Sequence, residues 1–210
     1  MRNILVASGP SAVKNGFLDE RFANAFFTNS SYKLLDALNL KFETAHLVVQ
    51  DLRALDTVIP FREVFGEVGH LWLADYLPLA EIFGPDMDVD CAPSVHRFRL
   101  LGEVSEELSL RSQCGYFHGF NVGYTALQIA LTEFTQDVHV TGVDLYCHDT
   151  ASAPSPAHDQ HRDVDVLFAW SLASRSLTFR ERVSVDPHSS LAKLSSQSLG
   201  LLSSQSPEST

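Results

Sequence analysis

The chain has 210 residues, 45% hydrophobic and 20% charged. That suits a soluble globular protein long enough for one α/β domain with a full core. The net charge of −11, with no basic stripe to offset it, argues against nucleic-acid binding, though helix N-termini and a few local donors can still hold a small phosphorylated ligand.

Asn3-Ile4-Leu5-Val6-Ala7 is a short apolar β-type run that empties into Ser8-Gly9-Pro10-Ser11. Residues 3–8 read as a first buried strand, and the small residues after it let a phosphate approach backbone N–H groups. Ala25 to Asn29 reads as a second strand ending in a polar residue. Ser30 to Leu38 has an N-cap-like start and helical spacing. Thr44 to Gln50 reads as a third strand, again with a polar end, and polar ends of parallel strands are where α/β sheets place ligand contacts. Residues 51–113 carry weaker patterns: His70 to Ala74 reads as a strand or part of a helix, and Val95 to Leu100 alternates as a half-exposed strand would.

Asn121 to Phe134 is the clearest helix, with Val122, Ala126, Ile129, Ala130 and Phe134 on one face and Gly119 and Gly123 at its start. Residues 138–144 read as another buried strand and 147–160 as a Pro/Ser/His-rich loop. Asp163 to Ser174 reads as an amphipathic helix with Val166, Phe168, Ala169 and Leu172 apolar. Arg182 to Val185 looks like a final strand. Ser195-Ser196-Gln197-Ser198 recurs as Ser203-Ser204-Gln205-Ser206, so 195–210 is expected to be a flexible Ser-rich tail after a single domain over 1–194.

Cys91, Cys114 and Cys147 are odd in number and widely spaced, so neither a disulfide framework nor a metal motif is expected, and the expected setting is reducing and cytoplasmic. A signal peptide is not expected: Arg2 is the one basic residue ahead of the first apolar run, and Gly9-Pro10 interrupts that run. No stretch approaches the length of a membrane span. Peripheral attachment to the inner face of a membrane and homo-oligomerisation stay open.

Three segments, in this order, resemble the bacterial sialyltransferases of glycosyltransferase family 42 and related Rossmann-like proteins. The first is the N-terminal strand with Gly9-Pro10-Ser11. The second runs from Gly119 through Ala130 to Thr141-Gly142-Val143-Asp144-Leu145-Tyr146. The third is Ala157-His158-Asp159-Gln160-His161-Arg162-Asp163-Val164, and Asp186-Pro187-His188-Ser189-Ser190-Leu191 is a softer echo. The resemblance implies a Rossmann-like, mostly parallel sheet flanked by helices with a short lid. It implies inverting transfer of sialic acid, or a related acidic sugar, from a CMP-activated donor to a glycan hydroxyl, with no required metal.

On that resemblance His158 is the candidate base, with His161 as its competitor. Histidine suits the role because its ordinary pKa lies near neutrality. Tyr146 would hydrogen-bond the departing phosphate, since a phenol can donate to an oxygen that gains charge as the bond breaks. Ser8, Gly9, Ser11, Asn29, Gln50, Asn121 and Gly142 would line the donor. Asp144 is expected to be structural, accepting backbone N–H bonds from a neighbouring loop. The Asp-x-Asp patterns at Asp86, Asp88 and Asp90 read as a solvated acidic loop rather than a divalent-ion site. The histidines and carboxylates of 148–163 show no pair in the register of a known helix metal motif and stand as a weak alternative. Two alternatives stand beside this reading. One is a pyrophosphokinase-like relative using ATP and Mg²⁺; the other is a non-catalytic nucleotide- or glycan-binding member.

Overall fold

The computed structural model describes residues 1–14, 17, 20–78, 94–102, 115–118, 121–144 and 160–194, with 160–163 described by backbone alone. Seven strands form one sheet: β1 (Asn3–Val6), β2 (Arg21–Thr28), β3 (Lys41–Val49), β4 (Gly69–Ala74), β5 (Val95–Phe98), β8 (Val138–Thr141) and β9 (Val183–Val185). Their order is β5-β4-β3-β2-β1-β8-β9, and every neighbouring pair is parallel. Two short strands, β6 (Leu100–Leu101) and β7 (Tyr116–Phe117), pair separately, also in parallel. The helices are α1 (Leu35–Leu38), α2 (Val58–Phe65), α3 (Val122–Thr132), α4 (Gln160–Ala173) and α5 (Leu177–Arg182). The fold is α/β and Rossmann-like, as the sequence implies.

The central strands carry continuous apolar runs such as Ile4-Leu5-Val6 and Leu47-Val48-Val49 because both faces are covered. Every residue of β1 and of β8 is buried. On one face α3 lies across β1, β2, β3 and β8. On the other, α2 packs on β3 and β4, and its Phe61 and Phe65 meet Phe27 and Tyr32. Pro60 sits in the first turn of α2, where its missing N–H costs no helical bond.

Three local expectations are corrected. The helix over Asn121 to Phe134 is not apolar on one face only; residues Gly123 through Leu131 are all buried. The sheet covers one side, while Trp170 of α4 meets Tyr124 edge-on at 5.7 Å on another. In α4 the buried positions are Val166, Ala169, Trp170 and Ala173, and Phe168 is 60% exposed, because the core-facing stripe follows i, i+3, i+4, i+7 from Val166. Ser30 does not cap the helix that follows it. Instead Ser31 accepts the Thr28 N–H at 2.9 Å and donates to the Val6 carbonyl at 2.7 Å, tying the ends of β2 and β1 together.

Among the described residues no helix is long and apolar enough to cross a membrane.

Candidate functional site

The chain leaves β1 in one direction, through β2 to β5, and returns to β1's other side with β8 and β9. The strand order therefore reverses between β1 and β8. In open parallel sheets ligands bind beyond the carboxyl ends of the strands at such a reversal. The loops after β1 and β8 meet there. Ala7 N–H donates to Thr141 O at 2.9 Å, and Gly9 N–H donates to Gly142 O at 2.9 Å. The Asp144 carboxylate accepts the Ser11 N–H through Oδ2 at 2.7 Å, the backbone-holding role expected of it.

Gly9 and Gly142 make this contact sterically allowed. A Cβ on Gly142 would lie 2.2 Å from Ala7 O, and one on Gly9 would lie 2.4 Å from Gly142 O and 2.5 Å from Asp144 Oδ2. Gly142 also has φ of 73°, in the left-handed region that favours glycine. The close approach that these glycines permit is thus between the two loops themselves.

Beside the seam stand polar atoms without a protein partner. Ser11 Oγ, Asp144 Oδ1 and Asn29 Oδ1 are buried and accept or donate no hydrogen bond among the described residues. Asn29 follows β2 directly and adopts φ of 50°. Buried polar atoms are normally satisfied, so an orphaned group calls for a missing partner. Ser8 lies on the same edge and is exposed.

Farther along the edge, Gln50 follows β3. Its Oε1 accepts the Thr125 hydroxyl of α3 at 2.7 Å, and its carbonyl accepts the Tyr76 hydroxyl. Gln50, Asp51, Leu52, Tyr76 and His118 line a cavity of about 200 Å³. Asn121 caps α3, its Oδ1 accepting the Gly123 N–H at 2.7 Å from an extended backbone. Asn121→Ala is expected to lower stability by about 1 kcal/mol, read as a shift of the urea midpoint at unchanged slope; no shift would show that the cap contributes nothing.

The structure thus bonds Gly9 to Gly142 and Ser11 to Asp144, sets Asn29 at the adjacent strand end, and places Gln50 and Asn121 at the start of α3. Tyr146, His158 and the Asp86 to Asp90 loop lie outside the described residues, as does the side chain of His161. Asp51, Tyr76 and His118 were missed by the sequence reading. The available signal was the polar residue directly after each apolar run, Gln50-Asp51 after β3 and Asp75-Tyr76 after β4.

A second polar system is enclosed beneath α3. Trp72 Nε1–H donates to His46 Nδ1 at 3.1 Å, which leaves Nε2 as the protonated nitrogen. Nε2 then donates to Asn24 Oδ1 at 3.0 Å, and Asn24 Nδ2 donates to Asn3 Oδ1 at 2.9 Å. Phe26 stacks on the His46 ring and Phe134 meets it edge-on. Burial, followed by the neighbouring His70 and His96, lowers the His46 pKa to about 3. His70 and His96 are hydrogen-bonded at 3.0 Å and stacked, and burial lowers both of their pKa values. This chain of side chains crosses β1 to β4 and holds its histidine neutral. Among the described residues no three His, Cys, Asp or Glu side chains gather so as to hold a metal ion.

Comparison of the chain with protein-family models, with curated proteins and with solved structures gives no match.

Proposed function

We propose that the chain binds a nucleotide at the β1/β8 crevice and acts as a sialyltransferase-like glycosyltransferase, moving sialic acid or a related acidic sugar from a CMP-activated donor to a glycan hydroxyl. The observation that carries this reading is the set of orphaned buried atoms, Ser11 Oγ, Asp144 Oδ1 and Asn29 Oδ1, at the reversal of strand order. Two of the three belong to segments that bear the family resemblance. Because Asp144 already occupies the Ser11 N–H, these atoms suit the ribose hydroxyls of the nucleotide better than its phosphate. The phosphate falls to Ser8 and to Tyr146.

In the proposed reaction the acceptor oxygen bonds to the anomeric carbon as the bond from that carbon to the phosphate oxygen breaks. His158 takes the acceptor's proton, and Tyr146 donates a hydrogen bond to the phosphate as it leaves with CMP. A bound divalent ion is not required, since the donor carries a single phosphate.

The test is a melting-shift series on the purified chain with CMP, UDP, GDP and ATP, each with and without Mg²⁺. One-site binding at about a hundredfold excess over Kd adds roughly 2.7 kcal/mol. A metal-independent shift with CMP is the expected result. A shift only with ATP and Mg²⁺ would replace this reading with the pyrophosphokinase one, and CMP binding with no transfer to any glycan would leave a non-catalytic binding module.

A further inference from the structure

We infer that the cavity formed by Gln50, Asp51, Leu52, Tyr76 and His118 is a binding subsite for a single neutral sugar ring. The inference deepens the proposed function, on which it rests for the ring's role as acceptor; binding of the ring follows from the cavity alone. Its volume of about 200 Å³ is below the roughly 300 Å³ at which pockets for drug-sized ligands begin. It has room for a ring-sized group. It opens at the carboxyl ends of β3 and β4, on the same edge of the sheet as the crevice beside β1. Neighbouring strands lie about 4.8 Å apart, so β3 stands roughly 10 Å from β1, near enough for a ring here and a nucleotide there to be parts of one reaction.

The walls supply what a sugar needs. Gln50 is 6% exposed, and the buried Thr125 hydroxyl fixes its carboxamide by occupying Oε1. That leaves the Gln50 amino group as an oriented donor. Asp51 provides carboxylate acceptors and is held in place by Arg53, whose backbone N–H and guanidinium both bond to it. The Tyr76 ring is 57% exposed, and its hydroxyl is anchored on the Gln50 carbonyl. It presents a fixed apolar face against which the C–H side of a pyranose can lie. Donor, acceptor and aromatic face together match hydroxyl groups on a ring. Arg53 pairs with the one carboxylate among the described lining residues, none of which is a lysine or arginine, so that described wall favours a neutral ring over an anionic one.

The test is saturation-transfer NMR on the full chain with galactose, glucose and N-acetylglucosamine, and with N-acetylneuraminic acid as the anionic comparison. The melting shift with CMP is measured on the same samples. At least one neutral hexose is expected to give transfer and the acidic sugar none. Tyr76→Ala, and Asp51→Asn, which keeps a side chain able to cap, are expected to weaken that hexose at least tenfold while the CMP shift persists. No transfer to any neutral hexose, or transfer unchanged in both variants, would overturn the inference, and a surviving CMP shift would then leave the nucleotide reading in place. Hexose transfer lost in the variants, but with no CMP shift in any sample, would support the sugar site and remove the transferase reading.

Discussion

Replacing Gly142 by alanine is expected to destabilise the protein by about 2–5 kcal/mol and to abolish the proposed nucleotide binding at the β1/β8 seam. Two effects add. A side chain held in the left-handed region costs roughly 1–2 kcal/mol, and Gly142 has φ of 73°. The new methyl would also lie 2.2 Å from Ala7 O, and overpacking of that kind costs about 1–3 kcal/mol when the backbone must shift. The shift would move Ala7 and Gly9 away from β8 and break the Ser11 to Asp144 bond that positions the orphaned atoms. Gly66→Ala is a comparison without a clash: φ is 52° with ψ of −127°, and nothing lies within 4 Å of the added Cβ, so its loss is conformational alone. Urea unfolding of the two variants separates the effects. A loss at Gly142 no larger than the roughly 2 kcal/mol conformational cost would mean that the close loop-to-loop contact carries no energy. Gly9→Ala strains the same contact, so the double variant should fall short of additivity.

Stability is expected to fall as the pH drops from about 6.5 towards 3, and His46 should account for much of the slope. The unfolded chain binds a proton on this histidine below its ordinary pKa of about 6.5, whereas the folded chain resists it down to about 3. Between those values the unfolded state holds more protons, so the stabilisation is complete above pH 6.5 and is lost by about 1.4 kcal/mol per pH unit on acidification. His70, His96 and His139 have lowered pKa values from burial and act in the same direction. His46→Leu should show both sides of the network. At pH 7 it leaves the Trp72 N–H and Asn24 Oδ1 without their partner, a loss of about 2–4 kcal/mol. Below pH 6.5 its stability should decline less steeply than that of the parent chain. Parallel pH profiles for the two proteins would mean that His46 is already protonated in the fold or is not enclosed.

The parts of the fold that are legible from sequence are those governed by local pattern. Ile4 to Val6 and Leu47 to Val49 are unbroken apolar runs, as strands covered on both faces read, whereas β8 alternates Val138-His139-Val140-Thr141 and is still buried throughout. Asn121 before Val122 reads as a helix start and is one. Helix α2 is less legible because Val58, Ile59 and Pro60 are poor helix formers inside a chain. They are tolerated because Phe61 and Phe65 pack on Phe27 and because Pro60 falls in the first turn. The exposure of Phe168 depends on where Trp170 finds Tyr124, a contact between distant segments. The seam at Gly9 and Gly142 is half legible: both glycines stand out in sequence, but that they face each other follows only from the pairing of β1 with β8. The cavity shows the same limit. Gln50, Tyr76 and His118 come from separate strand ends and are brought together by the sheet.

The placement of β1 has a consequence for how the protein is made. Of the described strands it comes earliest in the chain, and yet it lies inside the sheet. Strands β2 to β5 each add beside their predecessor in the order in which they are translated. The other edge of Ile4-Leu5-Val6 waits for residues Val138 to Thr141. Until they emerge, that edge is an open apolar template on which partly made chains can pair with one another. The loop that ends this exposure is the one carrying Gly142 and Asp144, so the same stretch of chain seals the sheet and completes the crevice. A chain stopped short of residue 138 would therefore lack the Gly9 to Gly142 seam and carry the aggregation hazard together.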